Sequence, residues 1–147
     1  MVKVRDIMTK SVITIASHRS ADDARILMRR HQVHHLPVLD AQSEIVGIVS
    51  EKDFIKIHDL IGEKFDNAPL REIMSDDVIT CTPSCRVTSV AATMITCKIA
   101  CIPVVSMQAL VGIVTTSDLL DLLCRFDELD GHQVMPLNFR NRDAFFF

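Results

Sequence analysis

The sequence predicts an α+β fold made of two βαββα repeats, whose three-stranded sheets pack in pseudo-two-fold symmetry. Three observations predict it. Leu36-Pro37-Val38-Leu39 followed by Gly47-Ile48-Val49-Ser50-Glu51-Lys52-Asp53 returns as Ile102-Pro103-Val104-Val105 followed by Gly112-Ile113-Val114-Thr115-Thr116-Ser117-Asp118. An internal repeat of this kind means two copies of one supersecondary unit, neither able to cover its apolar face alone. Within each copy, β-branched runs alternate with apolar residues at helical spacing. The chain is 147 residues long, 48% apolar and 24% charged, which suits one packed module.

The elements follow in order. Val4-Arg5-Asp6-Ile7-Met8 is a short lead-in, echoed by Leu70-Arg71-Glu72-Ile73-Met74 at a shift of 66 positions, from Arg5 to Arg71. Val12-Ile13-Thr14-Ile15 is β-branched and reads as a strand, with Val78-Ile79-Thr80 as its counterpart. Ser20 stands as a helix N-cap, with Asp23 completing a capping box. Ala21, Ala24, Met28 and His31 share one face of the helix that follows, with Leu27 beside them. Val87, Val90, Ala91 and Met94 mark that face in the second copy. Val33 to Leu39 is a second strand, where Pro37 suits an edge or a strand start because it lacks an N–H. Asp40 to Ser43 form a turn, and Ile45 to Val49 make the third strand of a hairpin. Leu110 to Val114 are their partner after a turn one residue shorter. Ser50 and Thr115 open the last helices, Glu51 to about Ile61 and Thr116 to about Phe126.

Residues 1–66 are expected to form the first repeat, 67–127 the second and 128–147 a C-terminal tail, the repeats making one structural module. Phe65-Asp66-Asn67-Ala68-Pro69 links them with turn residues and a helix-stopping proline. Phe145-Phe146-Phe147 would be costly to leave in water, at roughly 25 cal/mol per Å². It is expected either to dock or to be a disordered end.

Composition excludes several classes. A net charge of −3 lacks the basic surplus of a non-specific nucleic-acid or membrane binder, so neither partner is expected. Five cysteines are an odd number, and the start Met1-Val2-Lys3-Val4-Arg5-Asp6 has no apolar signal core. The reading is reduced thiols and a cytoplasmic location. No apolar run reaches the length of a membrane span.

The Ile-Met lead-ins, Val-Ile-Thr strands, Pro-Val strands and Gly-Ile-Val-[Ser/Thr]-x-x-Asp ends resemble a tandem cystathionine-β-synthase (CBS) domain pair from about Val4 to Phe126. The resemblance implies a non-catalytic regulatory module that takes AMP, ADP, ATP, S-adenosylmethionine or NADH between the repeats, dimerises, and relays occupancy to a regulated protein. No obligatory cofactor is implied; the adenosine nucleotide or S-adenosylmethionine is the regulatory ligand.

Site residues follow from the resemblance by position. One site would use Ile13, Val33, His34 and His35 with Thr115 and Asp118. The other would use Ile79, Ile99, Ala100 and Cys101 with Ser50, Lys52 and Asp53. A carboxylate near a helix start can accept hydrogen bonds from the vicinal hydroxyls of a ribose, while helix N–H groups meet a phosphate. Read locally, Ser-x-x-Asp is an ordinary capping box. His34 and His35 bring basic groups, so the first site is expected to prefer a phosphorylated adenosine. Histidine near neutral pH also suggests affinity that rises as pH falls.

A metal site and a hydrolase are the less favoured classes. Cys81 with Cys85, and Cys97 with Cys101, resemble metal-ligand pairs, with His31 and His35 at the positions matching the second pair. They span predicted strand, turn and helix end, and cysteine is a common core residue, so no metal is expected. A thiol- or metal-dependent hydrolase would need a nucleophile tied to a base, and no spacing motif links Cys101 to His35. A pure interaction module with closed sites is the remaining alternative.

Overall fold

The computed structural model describes residues 1–61 and 67–129. The Phe65-Asp66 part of the link and the Phe145-Phe146-Phe147 end lie outside the described residues. The elements are α1 (Val4–Ile7), β1 (Ile15–Ala16), α2 (Ala21–His31), β2 (His35–Leu39), β3 (Ile45–Ser50), α3 (Glu51–Ile61), a 3-10 turn (Leu70–Glu72), α4 (Val87–Cys97), β4 (Cys101–Ser106), β5 (Ala109–Thr115) and α5 (Thr116–Leu129).

Local chemistry accounts for the helix starts. Ser20 Oγ accepts from Asp23 N at 3.2 Å, and Asp23 Oδ2 accepts from Ser20 N at 3.2 Å, the reciprocal box expected. Ala21, Ala24 and Met28 are buried, whereas His31 is exposed at the helix end. Val87, Val90 and Met94 repeat the buried stripe on α4.

The first sheet runs β1-β2-β3, with β1 parallel and β3 antiparallel to β2. The second is the antiparallel pair β4-β5, and its third strand shrinks to a single parallel bridge between Cys81 and Val104. The cause is one residue. Ser17 N donates to Leu39 O at 2.8 Å in the first repeat. Its equivalent in the second is Pro83, which has no N–H to extend the ladder.

Two expectations about strands need correction. Of the runs at Val12–Ile15 and Val78–Thr80, only Ile15 is paired in a sheet. Thr9 is bonded to Ile113 of the second sheet and Ile15 to β2 of the first, so the residues between cross from one sheet to the other with no strand beside them. Pro37 lies in the middle of the central strand, not at an edge. It faces Ile48, whose N–H and C=O point away to Ser75, each at 2.9 Å. Pro37 and Ile48 are therefore a non-hydrogen-bonded pair, and β1 begins only opposite Val38, so no rung needs the missing N–H. Pro103 and Ile113 repeat the arrangement, with Ile113 bonded to Thr9.

These outward bonds exchange the lead-ins. Val4, fully buried, belongs to a core with Val90, Met94, Ile102, Val104 and Val114. Its N–H donates to Cys85 O at 2.9 Å. Leu70, fully buried, and Ile73 belong to the other core, with Leu36, Val38, Val49 and Phe54. Leu70 N donates to Arg19 O at 3.2 Å. Each side chain of this size gains roughly 1.5–3 kcal/mol by leaving water, so each repeat completes its neighbour's core. The exchange explains the two motif glycines. A Cβ on Gly112 would stand 2.6 Å from Met8 Sδ and 3.2 Å from Thr9 O, and Gly47 meets Met74 in the same way.

Candidate functional site

The ends of β3 and β5 carry the same device. Asp53 Oδ2 accepts from Ser50 N at 2.8 Å and from Ser50 Oγ at 2.9 Å. Asp118 Oδ2 accepts from Thr115 N at 2.7 Å and from Thr115 Oγ1 at 2.9 Å. This is half of a capping box. The hydroxyl donates to the carboxylate instead of accepting a first-turn N–H, which leaves N–H groups of that turn for another acceptor. The second carboxylate oxygen of each Asp accepts no hydrogen bond from the described residues.

A cleft of about 490 Å³ opens at the Asp53 end. From the first repeat it is lined by Ser50, Lys52 and Asp53, and from the second by Ile79, Ile99, Ala100 and Cys101. All seven residues of the second predicted site are thus brought together. The volume lies within the range of small-molecule pockets. His34 and His35, grouped by sequence with Thr115 and Asp118, also line this cleft. The reason is the hairpin, which pairs His35 directly with Ser50 and bonds Glu51 N to His34 O at 3.1 Å. Ile13 and Val33 pack partly buried against the first core and are not among the residues lining the cleft. Lys56 and Lys98 line it as well, and sequence reasoning passed over both.

The histidines differ in setting. His34 is exposed, and its Nδ1 lies 2.9 Å from Glu51 Oε2. Such an exposed pair adds little to stability. His35 is half-buried, and its pKa is held below the usual 6.5, first by burial and then by the neighbouring His34, against the pull of Asp53 and Glu51. A histidine depressed in the fold binds fewer protons there than when unfolded. Its neutral form therefore supports the fold above about 6.5, and that support is lost as pH falls from there through the lower folded value. Urea unfolding at a series of pH values should show stability declining below about 6.5, and His35→Gln should flatten the decline. An identical slope in the variant would assign the effect to other groups.

The thiols sit in unreactive settings where they are buried. Burial, with the nearby Asp118 charge, pushes the Cys101 thiol up to about 12. Burial pushes Cys81 up to about 11. A thiol held protonated is a poor nucleophile, so Cys101 does not suit hydrolytic chemistry. Hydrogen bonding to Thr82 lowers the pKa of Cys85, whose Sγ lies 3.4 Å from Thr82 Oγ1. Among the described residues no three His, Cys, Asp or Glu side chains converge as a metal-binding group. No helix among them is long and apolar enough to cross a membrane.

Comparison with known proteins places both halves. The profile described as CBS domain matches residues 4–59 and 70–125. An uncharacterized protein of Methanocaldococcus jannaschii is 32% identical over 120 residues, 82% of this chain, and the chain spans 42% of that relative's length. The crystal structure of a Vibrio cholerae protein assigned to acetoin utilization (AcuB) superposes with a TM-score of 0.78 at 32% identity, over 92% of this chain and 99% of its own. The CBS domain pair of protein MJ0100, solved in complex with 5-methylthioadenosine and S-adenosyl-L-methionine, superposes with a TM-score of 0.74 at 32% identity, over 84% of this chain and 96% of its own.

Proposed function

Because this chain belongs to the CBS domain family, with two such domains in tandem, we propose that it is a non-catalytic regulatory module. It binds an adenosine-containing ligand in the cleft at Asp53 and relays occupancy to a partner protein. One observation carries the reading. The first repeat supplies a carboxylate with a free oxygen, Asp53, and the second supplies an apolar wall, Ile79, Ile99 and Ala100, across one open cleft. A ribose diol suits the first and an adenine ring the second. The adenosine compounds in the MJ0100 complex support the choice of ligand class. By position in the repeat, Thr115 and Asp118 offer the same device to a second ligand.

Relay needs two states with different affinity for the ligand. A site shared between repeats meets that need, since its occupancy depends on how they sit against each other. Ile55 of α3 and Leu120, Leu123 and Phe126 of α5 are exposed apolar side chains. They supply the surface for a homodimer, the assembly through which we expect the relay to run.

The test is thermal unfolding with adenosine, AMP, ADP, ATP, NADH or S-adenosylmethionine. A ligand at about 100 times its dissociation constant adds roughly 2.7 kcal/mol of stability. At least one should raise the melting temperature and survive incubation unaltered. If none does, the protein is an interaction module; if one is turned over, it is an enzyme.

A further inference from the structure

We propose that Lys52, Lys56 and Lys98 make the cleft select adenosine ligands bearing an anionic phosphate chain over those with a neutral or cationic 5′ group. The proposal rests on the adenosine reading of the cleft and adds its charge preference. Lys52 and Lys56 stand four apart on α3, so both leave the helix on the face toward the cleft. Lys98 arrives from the other repeat, where it ends α4 in the left-handed region at φ 55 and ψ 42. All three are exposed, and none has an ion-pair partner among the described residues.

Three acids, Glu51, Asp53 and Asp77, line the cleft too, and none of them is ion-paired with a lysine among the described residues. Glu51 lies 2.9 Å from His34, and Asp53 accepts from Ser50 at 2.8 and 2.9 Å. His35 adds a group that an anion would help to protonate.

The repeat itself provides the control. The positions matching Lys98, Lys52 and Lys56 in the other repeat hold Gln32, Ser117 and Asp121. Gln32 ends α2 at φ 53 and ψ 43, the same backbone state as Lys98. That helix end therefore does not require a lysine. Asp121 instead pairs with Arg125 along α5. Two repeats that agree in backbone and in the Ser/Thr-x-x-Asp device thus differ at these three points toward positive charge on the Asp53 side, which outweighs Glu51 and Asp77 standing there against Thr116 and Ser11 in the other repeat. An ammonium group is a compact point charge suited to phosphate oxygens, and it repels a sulfonium. By this reading the phosphorylated ligand belongs with Asp53, whereas the sequence alone had grouped the histidines and the phosphate with Asp118.

Calorimetry on the full chain tests it, with magnesium-free ATP, adenosine and S-adenosylmethionine as probes. ATP should bind about tenfold to a hundredfold tighter than either of the others. The preference should shrink between about 0.05 and about 0.5 M salt, and should collapse in the Lys52→Gln/Lys56→Gln/Lys98→Gln variant. Lys98→Gln alone copies the residue that already ends α2, so it keeps the fold and should lose part of the ratio. Adenosine or S-adenosylmethionine binding as tightly as ATP, or an unchanged ratio in the variants, overturns the selection and leaves the adenosine reading standing. If none of the three probes binds, the adenosine reading itself falls and the selection with it.

Discussion

Leu70→Ala should destabilise the protein by about 2–5 kcal/mol, the range for a fully buried leucine cut to alanine. The residue belongs by sequence to the second repeat, yet it is fully buried among Leu36, Val38, Val49 and Phe54 of the first. The shortened side chain leaves a cavity that its neighbours cannot close, because they sit on a hydrogen-bonded sheet and on helix α3. In urea the midpoint should fall with the slope unchanged, since the surface exposed on unfolding is nearly the same. Val4→Ala should behave alike in the other core, at the smaller cost of a smaller side chain. A loss below about 1 kcal/mol for Leu70→Ala would mean that the lead-in is only loosely docked.

Asp53→Ala should weaken the tighter adenosine-binding event by about a hundredfold or more. A hydrogen bond to a charged group contributes about 1.5–3 kcal/mol, and a ribose diol would make two of them to this carboxylate. The substitution also frees Ser50 N and Oγ, which now donate to Asp53 at 2.8 and 2.9 Å, so a loss of about 1 kcal/mol in stability accompanies it. Calorimetry separates the effects, because a variant that still unfolds cooperatively, a few degrees lower, is folded, and its weakened heat of binding then reports the site. Asp118→Ala is the matched comparison, since Thr115 holds that carboxylate in the same way. If Asp118→Ala removes the tighter event and Asp53→Ala spares it, the ligand sits at the other repeat.

Much of the fold was legible because the repeat doubles every weak signal. One Gly-Ile-Val-Ser is ambiguous, but its return as Gly-Ile-Val-Thr in the same order of elements defines strand, turn and helix start. The lead-ins were found as elements but not as exchanged ones. Nothing local in Val4-Arg5-Asp6-Ile7-Met8-Thr9 tells Val4 to bond Cys85, or Thr9 to bond Ile113, in preference to their own repeat. Pro83 was visible, and its effect on the third strand emerges only once Ser17 is seen to donate to Leu39. The site was legible where residues repeat and obscure where they differ. Ser50, Asp53 and Ile99 to Cys101 were named from their positions. Lys56 and Lys98 lie outside the pattern the two repeats share, and so outside what that pattern marks. The contrast of Lys98 with Gln32, and of Lys56 with Asp121, was the available signal.

The exchanged lead-ins also bear on how the chain is made. Thr9 finds its partner only when Ile113 exists. As the chain leaves the ribosome, Val4 has no partner until Cys85 follows it out, whereas the first core gains Leu70 and Ile73 much sooner. High contact order of this kind slows folding and prolongs the exposure of apolar segments. The interlock that gives one cooperative module therefore places its greatest vulnerability to aggregation during synthesis, before the native state forms.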